Sequence, residues 1–236
     1  MSKRPRILLV EDDLSFGKIL RDYLTLNNLD VVHMRDGIDG WNAFRNHHFD
    51  LCILDVMMPK RDGFELAAQI REINSRVPLV FLTAKSGKQD VLQGFETGAD
   101  DYLLKPVDAD ILLLKVKAML KRATDAEEFK EPEEDTVIGS FTFSYTKRSL
   151  CSGANKYILS PKEADVLRVL CAQPNTLVKR EDILRSLWKE VNYFTGRSLD
   201  VYIAKLRKYL QEDESITLSS LPKSGYILSI QQGRSK

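Results

Sequence analysis

Four acidic residues in this chain follow apolar runs, at places where they can act together. Glu11, Asp12 and Asp13 come directly after Arg6-Ile-Leu-Leu-Val10, and Asp55 comes after Leu51-Cys-Ile-Leu54. Carboxylates gathered in one place repel each other unless a cation joins them. Hard oxygen ligands of this kind suit Mg²⁺, which keeps some of its waters and helps bind phosphate oxygens. With a metal beside it, Asp55 can attack phosphorus as a nucleophile. Thr83, at the end of Val77-Pro-Leu-Val-Phe-Leu82, can hydrogen-bond a phosphoryl oxygen, and Lys105, just after Tyr102-Leu-Leu104, can neutralise another. Each residue also has an ordinary reading. The acids can cap a helix, Thr83 can be a strand-end hydroxyl, and Lys105 can be a solvated loop lysine.

The elements that must carry these residues decide between the two readings. The runs ending at Val10, Leu54, Leu82 and Leu104 read as buried strands, with Leu29 to Met34 a weaker fifth. Between them, Ser15 to Leu26, Ile38 to Arg45, Gly63 to Ile73, Gln89 to Glu96 and Ala109 to Lys121 carry helical patterns. Strand and helix alternating five times predict an α/β fold, a doubly wound five-stranded parallel sheet covered on both faces. Such sheets gather their functional groups at the carboxyl ends of the strands. Glu11, Asp12, Asp55, Thr83 and Lys105 all fall on that rim, and this convergence selects the functional reading.

A second chemistry is written in the charge. Residues 1–124 hold 18 basic and 18 acidic side chains, whereas residues 125–136 hold one lysine and seven acids. Residues 137–236 hold 16 basic and nine acidic side chains, a balance of +7 within a net charge of +1. A basic C-terminal part behind a neutral half suits a polyanionic partner. The acidic, proline-bearing stretch between them has little to bury and reads as a linker. The expected division is therefore a domain over residues 1–123, a linker over 124–136 and a second domain over 137–236.

In that second domain, Ser160-Pro-Lys-Glu163 is a capping box with proline at the first helical position. The helix it opens runs to about Ala172, and a shorter one spans Arg180 to Trp188. The longest follows, from Arg197 to about Leu210. Leu199, Tyr202, Ile203, Leu206 and Leu210 form its apolar stripe, and Arg197, Val201, Lys205 and Lys208 form the opposite one. A basic stripe opposite a core stripe is what a helix in a DNA major groove needs, although a plain amphipathic helix has the same pattern. Ile216 to Ser220 and Gly225 to Ile230 read as a C-terminal hairpin, so three helices and a hairpin predict a smaller α+β winged-helix domain.

Composition closes off other classes. Hydrophobic residues make up 43% and charged residues 29%, as in packed globular proteins. No apolar run approaches the ~18 residues of a membrane span, and Glu11 arrives too early for a signal-peptide core. Cys52, Cys151 and Cys171 have neither metal-ligand spacing nor an even disulfide count. The expectation is a cytoplasmic protein without a membrane partner.

Leu9-Val-Glu-Asp-Asp13, Leu54-Asp-Val-Met-Met-Pro59 with Asp62-Gly63, Leu82-Thr-Ala84 and Gly98-Ala-Asp-Asp-Tyr102 with Lys105-Pro106 resemble the receiver domain of bacterial two-component response regulators, a flavodoxin-like fold. The match covers residues 6 to about 122. It implies that Asp55 accepts a phosphoryl group from a sensor histidine kinase. It also implies that Asp12, Asp55 and the Met57 carbonyl hold Mg²⁺, with Glu11 acting through a metal-bound water. Thr83 and Tyr102 match the family's switch pair, and Lys105-Pro106 its cis peptide. An aspartyl-phosphate phosphatase would place an acid two positions after the nucleophile, and Met57 has no proton to give.

Leu159-Ser-Pro-Lys-Glu163, Val178-Lys-Arg-Glu-Asp-Ile183, Arg197-Ser-Leu-Asp-Val201, Lys205-Leu-Arg-Lys208 and Gly225-Tyr226 resemble the effector domain of the OmpR/PhoB family, over about residues 137–231. The resemblance implies DNA contacts from Arg197, Ser198, Val201, Lys205, Arg207 and Lys208. It implies binding to direct-repeat, double-stranded promoter DNA and work with RNA polymerase. The sequence departs from the family pattern at Pro222-Lys-Ser-Gly-Tyr226, where many members have Arg-Gly-X-Gly-Tyr, so Lys223 becomes the candidate wing cation. Lys179 replaces the usual serine or threonine cap, and Tyr202 stands where a polar residue is common.

On activation such receivers form homodimers through the fourth helix, fifth strand and fifth helix. The matching positions are Glu96, Asp100 and Asp101 on one side and Lys115, Lys117 and Arg122 on the other. One customary charged pair falls on Val91 and Ile111, which predicts a more apolar centre. The alternative is a regulator of the same build that acts without phosphorylation.

Overall fold

The computed structural model describes residues 4–128, 135–188 and 193–231. The chain divides into two compact units, Met1–Glu128 and Phe129–Lys236.

In the first unit the strands are β1 (Arg6–Val10), β2 (Asp30–Met34), β3 (Leu51–Leu54), β4 (Leu79–Thr83) and β5 (Asp101–Leu104). The helices are α1 (Leu14–Leu26), α2 (Gly37–Asn46), α3 (Gly63–Ile73), α4 (Lys88–Glu96) and α5 (Ala109–Glu128). The sheet is parallel throughout, in the order β2-β1-β3-β4-β5. All residues of β3 and β4 are buried, which is why their sequences are unbroken apolar runs rather than alternating ones. Asp13, Asp36 and Asp62 cap α1, α2 and α3 by accepting backbone N–H bonds. The order reverses between β1 and β3, and the crevice at such a reversal is where these folds bind ligands. Strand β4 begins at Leu79, not at Val77. Helix α5 runs past the expected end at Lys121 into the expected linker.

The second unit opens with an antiparallel sheet of β6 (Thr136–Ile138), β7 (Phe141–Ser144), β8 (Ser149–Ser152) and β9 (Asn155–Ile158). Helix α6 (Pro161–Cys171) starts at the capping box, with both reciprocal bonds made between Ser160 and Glu163. Then come β10 (Val178–Lys179), α7 (Arg180–Leu187), α8 (Tyr193–Leu210), β11 (Ile216–Leu221) and β12 (Gly225–Ile230). The hairpin pairs Leu221 with Gly225, and β10 adds to β12 to make a three-stranded sheet. That addition needs Gly225, because a Cβ there would stand 2.1 Å from the Val178 carbonyl oxygen. Helix α8 begins four residues before the expected Arg197. Lys179 caps α7 without a side-chain hydrogen bond, as a lysine must. Among the described residues no helix is long and apolar enough to cross a membrane.

Candidate functional site

Strand β1 delivers Glu11 and Asp12 to the carboxyl rim, and β3 delivers Asp55. Carboxylate oxygens of the three lie within 4.8 Å of one another. Glu11 and Asp55 are buried, and Asp12 is exposed. The Met57 N–H donates to Asp55 Oδ1 at 3.1 Å, which draws the loop after β3 around the acceptor. Gly63 permits that turn, since a Cβ there would meet the Asp55 carbonyl oxygen at 2.1 Å. The donor set fits Mg²⁺. Every donor in it is a carboxylate oxygen, the hard ligand that this ion takes.

Lys105 reaches in from the end of β5. Its Nζ stands 2.7 Å from Glu11 and 2.6 Å from Asp55 Oδ2, so one ammonium joins two buried carboxylates. Burial pulls its pKa down, but the bonds to Asp55 and Glu11 outweigh that and raise it. Burial raises the Glu11 pKa, with Lys105 opposing. The Lys105-Pro106 peptide is cis, as the resemblance implied.

Thr83 ends β4, fully buried, and its Oγ1 accepts from the Lys85 N–H at 3.2 Å. Tyr102 is 4% exposed, and its hydroxyl donates to the Lys85 carbonyl at 2.9 Å. The loop after β4 is thus held at one residue, Lys85, by both members of the expected switch pair. The tyrosine ring packs beside Phe81 and Phe95, and burial pushes its pKa up. It lies over Gly94, where a Cβ would come within 2.9 Å of the ring.

The expected dimer face needs two corrections. Val91 is fully buried in its own domain, because it lies on the inner side of α4, so it offers nothing to a partner. Asp100 is also turned inward, accepting from the Leu79 N–H at 2.9 Å and from Arg71 at 3.3 Å. Glu96, Ile111 and Lys117 are exposed, and Leu114 joins Ile111 on the outer face of α5. Asp101 and Lys115 form an ion pair at 2.7 Å within the domain. The side chain of Arg122 lies outside the described residues.

In the second unit the expected basic stripe of α8 is out of phase. Ser198 is fully buried and Val201 is 7% exposed, so neither faces solvent. Helix α8 packs against α6, α7 and β11, and this broad seat buries a wider stripe than sequence spacing showed. Lys205 is half-buried and lies 3.5 Å from Glu163, the capping-box acid of α6. The outward face is Arg197, Ala204, Arg207 and Lys208. Arg197 lies 3.8 Å from Asp200. Arg207 donates to the Leu218 carbonyl and to Ser220, which ties the helix to β11. Lys223 sits at the exposed tip of the hairpin with φ +60°.

Sequence reasoning missed two groups. Arg180 bonds to Asp200 at 2.5 Å, to the Gly196 carbonyl at 2.6 Å and to the Tyr226 hydroxyl, joining the start of α8 to the hairpin. Burial pushes Tyr226 up to about 12. An arginine opening a helix gives no local sign of this. The second is His33, whose ring lies beside the acidic site, 2.8 Å from the Glu11 carbonyl.

An acid-and-lysine rim on a 2-1-3-4-5 parallel sheet, followed by a winged helix, defines a receiver coupled to a DNA-binding effector domain. A model of the response regulator receiver domain matches residues 7–117, and one of the C-terminal domain of transcriptional regulatory proteins matches residues 154–228. The transcriptional regulatory protein RprY of Bacteroides fragilis is 43% identical over 230 residues, covering 97% of this chain and 96% of its own. Response regulator ArlR of Staphylococcus aureus is 32% identical over 225 residues, 94% of this chain and 99% of its own. Among solved structures, DrrB, an OmpR/PhoB homolog of Thermotoga maritima, is 28% identical with a TM-score of 0.51, covering 96% of this chain and 100% of its own. The chain belongs to the OmpR/PhoB family of two-component response regulators, and it is a transcriptional regulator rather than an enzyme in the usual sense.

Proposed function

We propose that this regulator is switched by phosphoryl transfer from a sensor histidine kinase to Asp55. The observation that carries this is the buried Asp55 carboxylate bridged by Lys105 to Glu11, with Asp12 alongside. In the transfer, an Asp55 oxygen forms a bond to phosphorus as the phosphorus–nitrogen bond of the donor histidine breaks. The electron pair returns to the imidazole, which takes up a proton. Asp12, Asp55 and the Met57 carbonyl would hold Mg²⁺, with Glu11 acting through a water, and the ion would supply positive charge for the phosphoryl oxygens. Lys105 neutralises one of those oxygens, and Thr83 donates its hydroxyl to another.

The phosphorylated receiver pairs with a second copy through α4, β5 and α5. The apolar part of that face is Ile111 with Leu114, and Val91 is excluded. Two effector domains then sit on direct-repeat promoter DNA, where RNA polymerase is met. The site of action is the cytoplasm.

Labelling by acetyl phosphate tests the first step. The full chain takes up phosphate with Mg²⁺ and none in chelator, and Asp55→Asn takes up none because an amide is no nucleophile towards phosphorus. Undiminished labelling of that variant overturns the choice of acceptor. DNA affinity that is unchanged by labelling favours the same build acting without phosphorylation.

A further inference from the structure

The turn that carries the metal-binding acids is fastened at several points. The Glu11 N–H donates to the Met34 carbonyl at 2.9 Å, which continues the β1–β2 ladder. The Asp13 carboxylate accepts from the N–H groups of Ser15 and Phe16 at 2.9 and 3.0 Å. Asp12, exposed, lies between these two anchors. The Glu11 carbonyl stands where β1 has ended, so no strand continues to hold it. Its partner is His33, whose Nε2 lies 2.8 Å away. A peptide oxygen only accepts, so Nε2 carries the hydrogen.

The ring fits because residue 17 has no side chain. A Cβ on Gly17 would stand 2.4 Å from both Cε1 and Nε2 of His33, and 3.2 Å from Glu11 Cγ. The first turn of α1, with the Gly17 N–H bonded to the Asp13 carbonyl at 2.8 Å, therefore leaves a slot between the histidine and the buried acid. A glycine inside a helix is destabilising relative to alanine. Here that cost is matched by a ring that reaches the backbone of a metal-site residue.

We infer that His33 is a positioning residue for the divalent metal: by holding the Glu11 carbonyl it sets the turn that aims Glu11 and Asp12 at the ion. The inference rests on the Mg²⁺ reading of the acidic cluster. His33 is not itself a ligand, because its Nε2 is committed to the peptide and hard cations take oxygen. Partners of this outer kind fix the direction of the ligands, and losing one typically costs 10–100-fold in metal affinity.

Mn²⁺ binding to the full chain, read from the paramagnetic resonance of free Mn²⁺ with Mg²⁺ as competitor, tests the inference. His33→Ala should raise the dissociation constants of both ions about tenfold. His33→Gln, whose amide N–H can reach the same carbonyl, should restore most of the affinity. Gly17→Ala favours the helix but evicts the ring, and it should lose affinity as His33→Ala does. A His33→Ala chain that binds both ions as the wild type does, whether or not its melting temperature falls, makes the ring mere packing and overturns the inference. If His33→Ala does not fold, wild-type affinity in Gly17→Ala overturns it equally. Failure of the underlying reading looks different, since the wild-type chain would then show no binding that Asp12→Ala or Asp55→Asn removes.

Discussion

The acidic rim of the receiver and the outward face of α8 are the two surfaces proposed to meet partners, but their positions depend on different things. A residue at the end of a parallel strand emerges at the carboxyl rim whichever way its neighbours point. Glu11 and Asp55, from adjacent strands β1 and β3, therefore meet across 44 positions of sequence. A residue on a helix is placed by its phase about the axis, and one position turns a side chain by about 100°. Val201 and Ala204 lie three apart on α8, yet the first is buried and the second exposed. Sites at the ends of elements follow from topology. Sites on faces also require knowing everything that packs against the element.

The largest expected effect breaks or confirms that contrast on α8 itself. Ala204→Glu puts a carboxylate at the centre of the outward face, where like-charge juxtaposition with DNA costs several kcal/mol. DNA affinity should fall a hundredfold or more with the melting temperature unchanged. Val201→Asp buries an unpaired charge and should unfold the effector domain, while Asp55 still takes up phosphate. Thermal melts and mobility shifts on the two variants report both outcomes. Folded Val201→Asp protein that binds DNA with altered preference would return Val201 to the interface.

A smaller effect tests the strand-end rule. Gly63→Ala places a Cβ 2.1 Å from the Asp55 carbonyl oxygen, a backbone atom with nowhere to go. Overpacking of this kind costs typically 1–3 kcal/mol. Labelling by acetyl phosphate should slow about tenfold as the loop after β3 shifts. Wild-type labelling in that variant would mean that the site tolerates displacement of the element behind it.

How much was legible follows the same division. The unbroken apolar runs of β1, β3 and β4 were readable because a strand buried on both faces needs no alternation. Ser160 and Glu163 marked the start of α6 because a capping box is local chemistry. The early start of α8 at Tyr193 was not readable, since Asn192-Tyr-Phe-Thr-Gly196 carries a glycine and no apolar period. Strand β10 was hidden because two residues hold no pattern, and it exists only through its pairing with Tyr226 and Gly225. Val91 and Asp100 passed for surface residues because family spacing gives the element but not the inward turn of its side chains. Arg180 and His33 act on carbonyls far away in sequence, and no neighbouring residue announces that.

The dimer face is of the second kind, and a moderate effect probes it. Ile111 is 44% exposed, with Leu114 one turn further along α5. Burying such a side chain in a partner is worth about 1.5–3 kcal/mol and is not screened by salt, unlike surface ion pairs. Ile111→Glu should weaken dimers of the beryllofluoride-treated chain by about tenfold in sedimentation. Dimerisation equal to wild type would place Ile111 outside the interface.

The smallest effect compares two lysines that share a backbone state. Lys60 in the receiver and Lys223 in the hairpin have φ of +67° and +60°, a region that costs a side chain about 1–2 kcal/mol. Lys60 recovers part of that through its ion pair with the buried Asp36, which ties the loop after β3 to the start of α2. Lys223 has no side-chain partner among the described residues, and its conformation is that of the turn closed by the Ser224 N–H on the Leu221 carbonyl at 3.0 Å. An exposed ammonium at the hairpin tip suits a polyanion outside the chain, and phosphate of the DNA backbone is the polyanion at hand. Lys223→Gly relieves the strain, while the freer unfolded chain offsets part of the gain. Stability should therefore hold or rise by up to about 1 kcal/mol. Binding to every DNA sequence should weaken several-fold, and the slope of log affinity against log salt should flatten by about one unit. Lys60→Gly should behave oppositely, losing the Asp36 pair and leaving DNA affinity alone. If Lys223→Gly gains stability and keeps the wild-type salt slope, the hairpin carries no DNA-contacting cation, and α8 binds without its help.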